Sequence, residues 1–293
     1  MKDGAAARYG VQSAAMTTDT DRAGIARPSM ATLLTEEIRF GRADLHLLSS
    51  RGKGSSNARS IFDRIERRDE LDVVVIADRD CIEGTLEARE VHAASGYGFE
   101  FVSGLVVTSA DGPVLELWLD EPIASEGSLG ETVAAIHAVH DVAVVPHPFA
   151  QLMRSVGPDA LEQVLHNADV GRRPNAIQVA SGSGRASAGS EKALELNGAQ
   201  WQLSEVGGSG AVFEEQVASA YTLFPGTLRS GARAAELRGA IAAGTTAVVA
   251  VPRVPVRRLG LRRVLEQRSR ELRYGWGPTV GPVLDRLPLG GSR

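Results

Sequence analysis

The chain has 293 residues, 43% hydrophobic and 23% charged, and its 32 Lys and Arg against 36 Asp and Glu leave a formal net charge of −4. Such a balance is close to a globular average and argues against general disorder, a fibrous repeat, or a globally basic nucleic-acid binder. The longest weakly polar run, residues 240–252, is interrupted by Gly244, Thr245 and Thr246 and falls short of the roughly 20 apolar residues that a membrane span requires.

Residues 1–37 show no apolar period and read as a poorly ordered leader, in which Met16 and Met30 are alternative starts. Lys2 and Arg8 are not followed by a continuous apolar stretch, so no secretory signal is read. A single cysteine, Cys81, excludes an intramolecular disulfide and a multi-cysteine zinc site, and fits a reducing, cytoplasmic setting.

Residues 38–251 alternate short β-branched runs with helical ones. A strand ends at Asp44-Leu-His46, and residues 71–77 (Leu-Asp-Val-Val-Val-Ile-Ala) form an apolar run expected of a strand buried on both faces. A helix is predicted over 82–95, then strands over 99–108 and 114–119 around Asp111-Gly112. Ser128 and Glu131 form a capping box ahead of a helix over 131–139. The pattern continues with a strand at 142–145, a helix at 159–166, a strand at 175–179 and a helix at 190–197. It ends with a strand at 218–224, a helix at 232–243 and a strand at 247–251. Alternation of this kind points to parallel strands joined by crossover helices.

From 252 to 293 the composition turns basic, with arginines at 253, 257, 258, 262, 263, 268, 270 and 273 opposed by Glu266 and Glu271. Leu261, Val264, Leu265 and Leu272 fall at helical spacing. The segment reads as an amphipathic helix packed on the domain with a solvated arginine face, followed by a flexible tail; a surface-binding arm is the alternative.

Local motifs carry little chemistry. Gly182-Ser-Gly184-Arg-Ala-Ser187 lacks the third glycine of a dinucleotide loop and reads as a linker. His137 and His140 sit at a helix end without a third ligand, and His92 and His166 read as surface residues. Three strand ends are more telling: Asp44-Leu-His46, Asp78-Arg79-Asp80 and Pro146-His147-Pro148. Polar groups at the C-terminal ends of parallel strands converge on one mouth. An Asp after a strand often caps the next helix, which suits Asp80; His46 and His147 are poor caps.

These landmarks resemble the polymerase-and-histidinol-phosphatase (PHP) family of metal-dependent phosphoesterases. The resemblance rests on Ala43-Asp-Leu-His46, the run from Leu71 through Asp78-Arg-Asp80 to Gly84, Gly104 to Gly112, Val144-Val-Pro-His147-Pro-Phe149, Gly207-Gly-Ser209 and Tyr221-Thr-Leu-Phe-Pro-Gly226. Their order and spacing span residues 39–250. The resemblance implies a distorted (β/α)7 barrel with up to three metal ions at the strand ends.

Most of the implied ligands are replaced. Leu48, Lys53, Arg79, Val106, Pro113, Gly210 and Val212 stand where the family keeps His, Asp or Glu. His46 and His147 remain, with Asp44 and Asp78 as motif neighbours that seldom ligate. Apolar side chains offer no lone pair, and Lys and Arg offer none while repelling a cation. The expectation is therefore loss of family-type phosphoesterase activity, with no cofactor. Lys53 and Arg79, near the Gly52-Lys53-Gly54 amides, either form a metal-free pocket for a phosphate-containing small molecule or, in a site that has simply decayed, swing out to solvent while apolar residues fill the hole. The alternative is a reduced site, one zinc or manganese on His46, His147 and Asp78, that still hydrolyses phosphoesters. No specific nucleic-acid partner is expected.

Overall fold

The computed structural model describes residues 39–123, 127–139, 142–150, 154–182, 187–251, 259 and 262–265. The leader expected at 1–37, His140 and most of the arginine-rich segment lie outside them. Among the described residues nine strands form one sheet: β1 (Arg39–Leu47), β2 (Val73–Ile76), β3 (Glu100–Thr108), β4 (Pro113–Leu117), β5 (Val142–Val145), β6 (Ala176–Ser181), β7 (Ser204–Gly208), β8 (Ala220–Gly226) and β9 (Ala247–Ala250). Pairing of Arg39–Ala43 with Thr222–Gly226 joins β1 to β8 and closes the first eight strands into a barrel, with β9 added antiparallel to β8. Strands β1, β2, β3, β5, β6 and β7 run one way, and β4 and β8 run against them. The α/β barrel expected from the resemblance is thus present.

The continuous apolar run at 71–77 has the physical cause assigned to it. Val73, Val75 and Ala77 point into the barrel lumen. Val74 and Ile76 point outward, against α1 (Ala58–Arg68) and α2 (Glu83–Ala93). Sequence reading overlooked α1, because its Arg, Asp and Glu residues hide a buried stripe of Ile61, Phe62 and Ile65. Asn57 caps it by accepting from the Ser60 amide at 2.9 Å. On the opposite flank α3 (Leu129–Ala138), α4 (Pro158–Leu165) and α5 (Ser187–Leu196) cover the outer faces of β4, β5 and β6. The Ser128–Glu131 capping box is present as read.

β7 also escaped the sequence reading, because glycines weaken a strand signal. A Cβ on Gly207 would sit 2.6 Å from the Tyr221 carbonyl oxygen, and one on Gly208 would sit 2.8 Å from the His46 Cβ. Glycine lets β1 and β8 close in on β7.

The helix α6 (Arg233–Ala243) closes the far end of the barrel: Leu237, Ala240 and Ile241 join the lumen cluster. Glu100, at the start of β3, anchors that helix by accepting from the amides of Gly231, Arg233 and Ala234. With that end plugged, the C-terminal ends of the six like-directed strands form the mouth. Among the described residues no helix is long and apolar enough to cross a membrane.

Candidate functional site

Asp44 fixes one side of the mouth. Its buried carboxylate accepts from the backbone amides of His46 (3.3 Å), Ser209 (2.8 Å) and Ala218 (3.1 Å), tying the end of β1 to the segments after β7 and before β8. Burial raises its pKa to about 6, against the opposing pull of those hydrogen bonds.

His46 and His147 lie at the ends of β1 and β5 and are nearly buried, 5% and 7% exposed. Their rings stack with centroids 5.9 Å apart and planes 21° from parallel. His46 Nδ1 meets Gln178 Oε1 at 3.3 Å, while Gln178 Nε2 donates to the carbonyls of Ala180 (3.1 Å) and Gly208 (2.8 Å). Burial lowers the pKa of His46 to about 4, with help from the charge of Arg79. Burial lowers His147 to about 3, aided by His46, Arg79 and Lys53. Both rings are therefore neutral at pH 7. His147 adopts a left-handed backbone (φ 32°), and its Nδ1 is buried with no hydrogen-bond partner among the described residues. Strain of this kind persists where surrounding structure enforces it, often at functional sites.

Asp78, two residues beyond β2, is engaged by the loop at Ser49. One oxygen accepts from the Ser49 amide at 2.9 Å and the other from the Ser49 hydroxyl at 2.5 Å, with a further bond from the Gly52 amide. The side chain is walled in: a Cβ on Gly84 would lie 2.0 Å from Asp78 Oδ2 and one on Gly52 2.4 Å from Oδ1. Burial raises Asp78 to about 6. Its evident work is to hold the loop that carries Lys53.

The expected nest of free amides at Gly52-Lys53-Gly54 is not there. The Gly52 and Gly54 amides donate to the Ser49 carbonyl at 3.1 and 2.7 Å, as a tight loop requires. Asp80 also departs from expectation. It caps no helix, since the N-cap of α2 is Ile82, without a side-chain cap; it accepts instead from the Thr108 amide (2.8 Å) and hydroxyl (2.6 Å). His92 is not a surface residue but half-buried, its Nε2 on the Phe99 carbonyl at 2.9 Å and its ring against Phe62. His166 is exposed, and His137 is taken up by the Gly171 carbonyl and Asn175, each at 2.8 Å.

Arg79 extends β2 through a bridge to Val106 and reaches the mouth. Its charge is felt at both His46 and His147. Among the described residues its guanidinium has no hydrogen bond or ion pair; burial depresses its pKa, Asp80 opposes that shift, and Arg154 adds to it. Arg154, which sequence reasoning missed, is held at the rim by the carbonyls of Ser109 (2.8 Å) and Ala110 (3.0 Å). Val106 and Pro113, at two positions where the resemblance implies ligands, are buried. Among the described residues no group of three or more His, Cys, Asp and Glu comes together.

Part of the basic segment is described. Leu259 is buried and residues 262–265 are helical, with Arg263 paired to Glu215 at 2.6 Å and lying over the Phe213 ring at 5.1 Å.

No family model matches the chain. An uncharacterized protein of Methanocaldococcus jannaschii is 25% identical over 107 residues, which is 36% of this chain and 61% of that relative's length. A two-domain Bacteroides vulgatus protein containing a predicted PHP-like metal-dependent phosphoesterase superposes with a TM-score of 0.54 at 16% identity, over 73% of this chain and 66% of that one. PsfC of Pseudomonas syringae superposes with a TM-score of 0.55 at 18% identity, over 78% and 98%. The chain has the PHP-type fold. At these identities the likeness is one of fold, and the PHP-type barrel's mouth must be read from its own residues.

Proposed function

We propose that this PHP-fold protein binds phosphate or a phosphate-containing small molecule at the barrel mouth and has lost metal-dependent phosphoester hydrolysis. The observation that carries this reading is Arg79. Burial is the main cause of the lowered pKa of His46 and His147, and the positive charge of Arg79 lowers both further. The field that repels a proton from those rings also repels a divalent metal ion, and it attracts an oxyanion.

The donors present do not suit a metal cluster. Two imidazoles remain, Asp78 gives its oxygens to Ser49 and Gly52, and the other positions where the resemblance implies ligands hold Leu, Lys, Arg, Val, Pro and Gly. A catalytic metal of this class needs several lone pairs at once to bind and to activate water. An oxyanion needs donors, and a half-buried guanidinium offers charge-assisted hydrogen bonds worth on the order of 1.5–3 kcal/mol. Lys53 and Arg154 add positive charge at the rim.

The competing reading, a phosphoesterase with one zinc or manganese on His46 and His147, draws support from the neutrality of both rings. Thermal denaturation separates the two. Under our proposal millimolar phosphate stabilises the protein, Arg79→Ala abolishes the shift, and zinc or manganese with a generic phosphoester gives no turnover. Stabilisation by metal with turnover that disappears in His147→Ala supports the competitor.

A further inference from the structure

Resting on the anion-binding reading, the structure allows a statement about which anion the mouth prefers. Gln178 lies in the buried strand β6, and its amide orientation is determined by its surroundings. Its Nε2 donates to two backbone carbonyls, Ala180 at 3.1 Å and Gly208 at 2.8 Å, and a carbonyl can only accept. Turning the amide over would set an oxygen against both. The atom that faces His46 Nδ1 at 3.3 Å is therefore Oε1, also an acceptor. His46 must carry its proton on Nδ1, which leaves the lone pair on Nε2. No described residue hydrogen-bonds to that nitrogen. The stacked His147 ring holds the plane in place.

The charge of Arg79 thus acts on a ring whose free nitrogen, His46 Nε2, is held as an acceptor by Gln178. A fully deprotonated oxyanion satisfies the first and sets an oxygen lone pair against the second. An anion that keeps an O–H satisfies both. We infer that the mouth selects a protonated oxyanion, hydrogen phosphate or a phosphate group that retains a proton, over sulfate, and that Gln178 sets this preference by holding the His46 proton on Nδ1. Gln178 is a positioning residue: it acts through His46 and does not itself reach the anion.

The probes are inorganic phosphate, which retains a P–OH near neutral pH, and sulfate, which has none. They are titrated calorimetrically into the full chain at pH 7 and matched ionic strength. Leaving an acceptor unpaired in a desolvated site is costly, so phosphate is expected to bind at least roughly tenfold more tightly than sulfate. In Gln178→Met, which frees the ring to carry its proton on either nitrogen, the preference falls to about threefold or less. Ring-nitrogen NMR of the wild-type protein, with the His46 signals identified by their loss in His46→Asn, is expected to show the Nδ1–H tautomer. That measurement stands even where Gln178→Met fails to fold. Equal binding of the two anions, or an Nε2–H tautomer in the wild type, overturns this inference and leaves the anion site standing. Binding of neither anion overturns the site as well.

Discussion

His46 and His147 stack 5.9 Å apart although they come from β1 and β5, strands on opposite sides of an eight-stranded barrel, so their rings meet across its mouth. The two stacked imidazoles, both within reach of the charge of Arg79, are the basis of the proposed anion site. That arrangement yields measurable consequences.

Removing the guanidinium charge should let both rings take up protons more readily. In Arg79→Gln the NMR titrations of His46 and His147 move upward from about 4 and about 3, yet stay below the ordinary histidine value because burial is the larger cause. Unmoved titrations contradict the placement of Arg79.

The same depression has a stability consequence. A histidine whose folded pKa lies below its unfolded value of about 6.5 contributes stability above that pH and loses it as pH falls toward the folded value. Asp44 and Asp78, raised to about 6, act in the opposite sense. Comparing wild type with His147→Asn removes their contribution. The stability advantage of the wild type should shrink between pH 7 and pH 5 by up to about 1.4 kcal/mol per pH unit, measured by urea denaturation. An advantage that grows on acidification contradicts the assignment.

Asp78 serves the loop, in this account, and no metal. Asp78→Ala leaves the Ser49 amide and hydroxyl without their acceptor, while the Gly52 amide keeps the Ser49 carbonyl. A loss of about 2–4 kcal/mol is expected. The loss should be the same with and without a chelator, as read by chemical denaturation.

Gly84 sets two effects against each other. It lies in α2, where helix propensity alone favours Ala by about 1 kcal/mol. A Cβ there, however, meets Asp78 Oδ2 at 2.0 Å and Ser49 Oγ at 2.6 Å, and overpacking costs roughly 1–3 kcal/mol. The contact wins, so Gly84→Ala should lower the melting temperature. A rise would show that the pocket around Asp78 is looser than described.

Cys81 should be a slow thiol. Burial, a bond to Glu83 and the charge of Asp78 push its pKa up to about 11. At pH 8 it then holds roughly two-hundredfold less thiolate than an ordinary thiol of about 8.5, and reacts correspondingly slowly with thiol reagents. Fast labelling at pH 8 would contradict this.

Much of the fold is legible in the sequence because buried parallel strands leave a coarse signature. The runs at 71–77 and 142–145 are apolar on both faces, since one face fills the lumen and the other meets helices. β7 and α1 are harder to see for opposite reasons: the first is thinned by the glycines that admit His46 and β8, the second is crowded with surface charge around a three-residue stripe. At the mouth, His46, His147 and Arg79 stand out as strand-end residues. Gln178 does not, because one polar residue inside Ala-Ile-Gln-Val-Ala carries no spacing cue. Its role exists only because the closed barrel brings its side chain within hydrogen-bond reach of His46. The pairing of Asp78 with Ser49, 29 positions apart, is likewise a product of the closed barrel.

The most direct test is a crystal structure of the full chain, purified without chelator and crystallised with phosphate present, with anomalous data collected at the zinc and manganese edges. The account predicts a tetrahedral anion on Arg79 beside His46 and no anomalous peak at the mouth. A metal ion bound between His46 and His147 would contradict it.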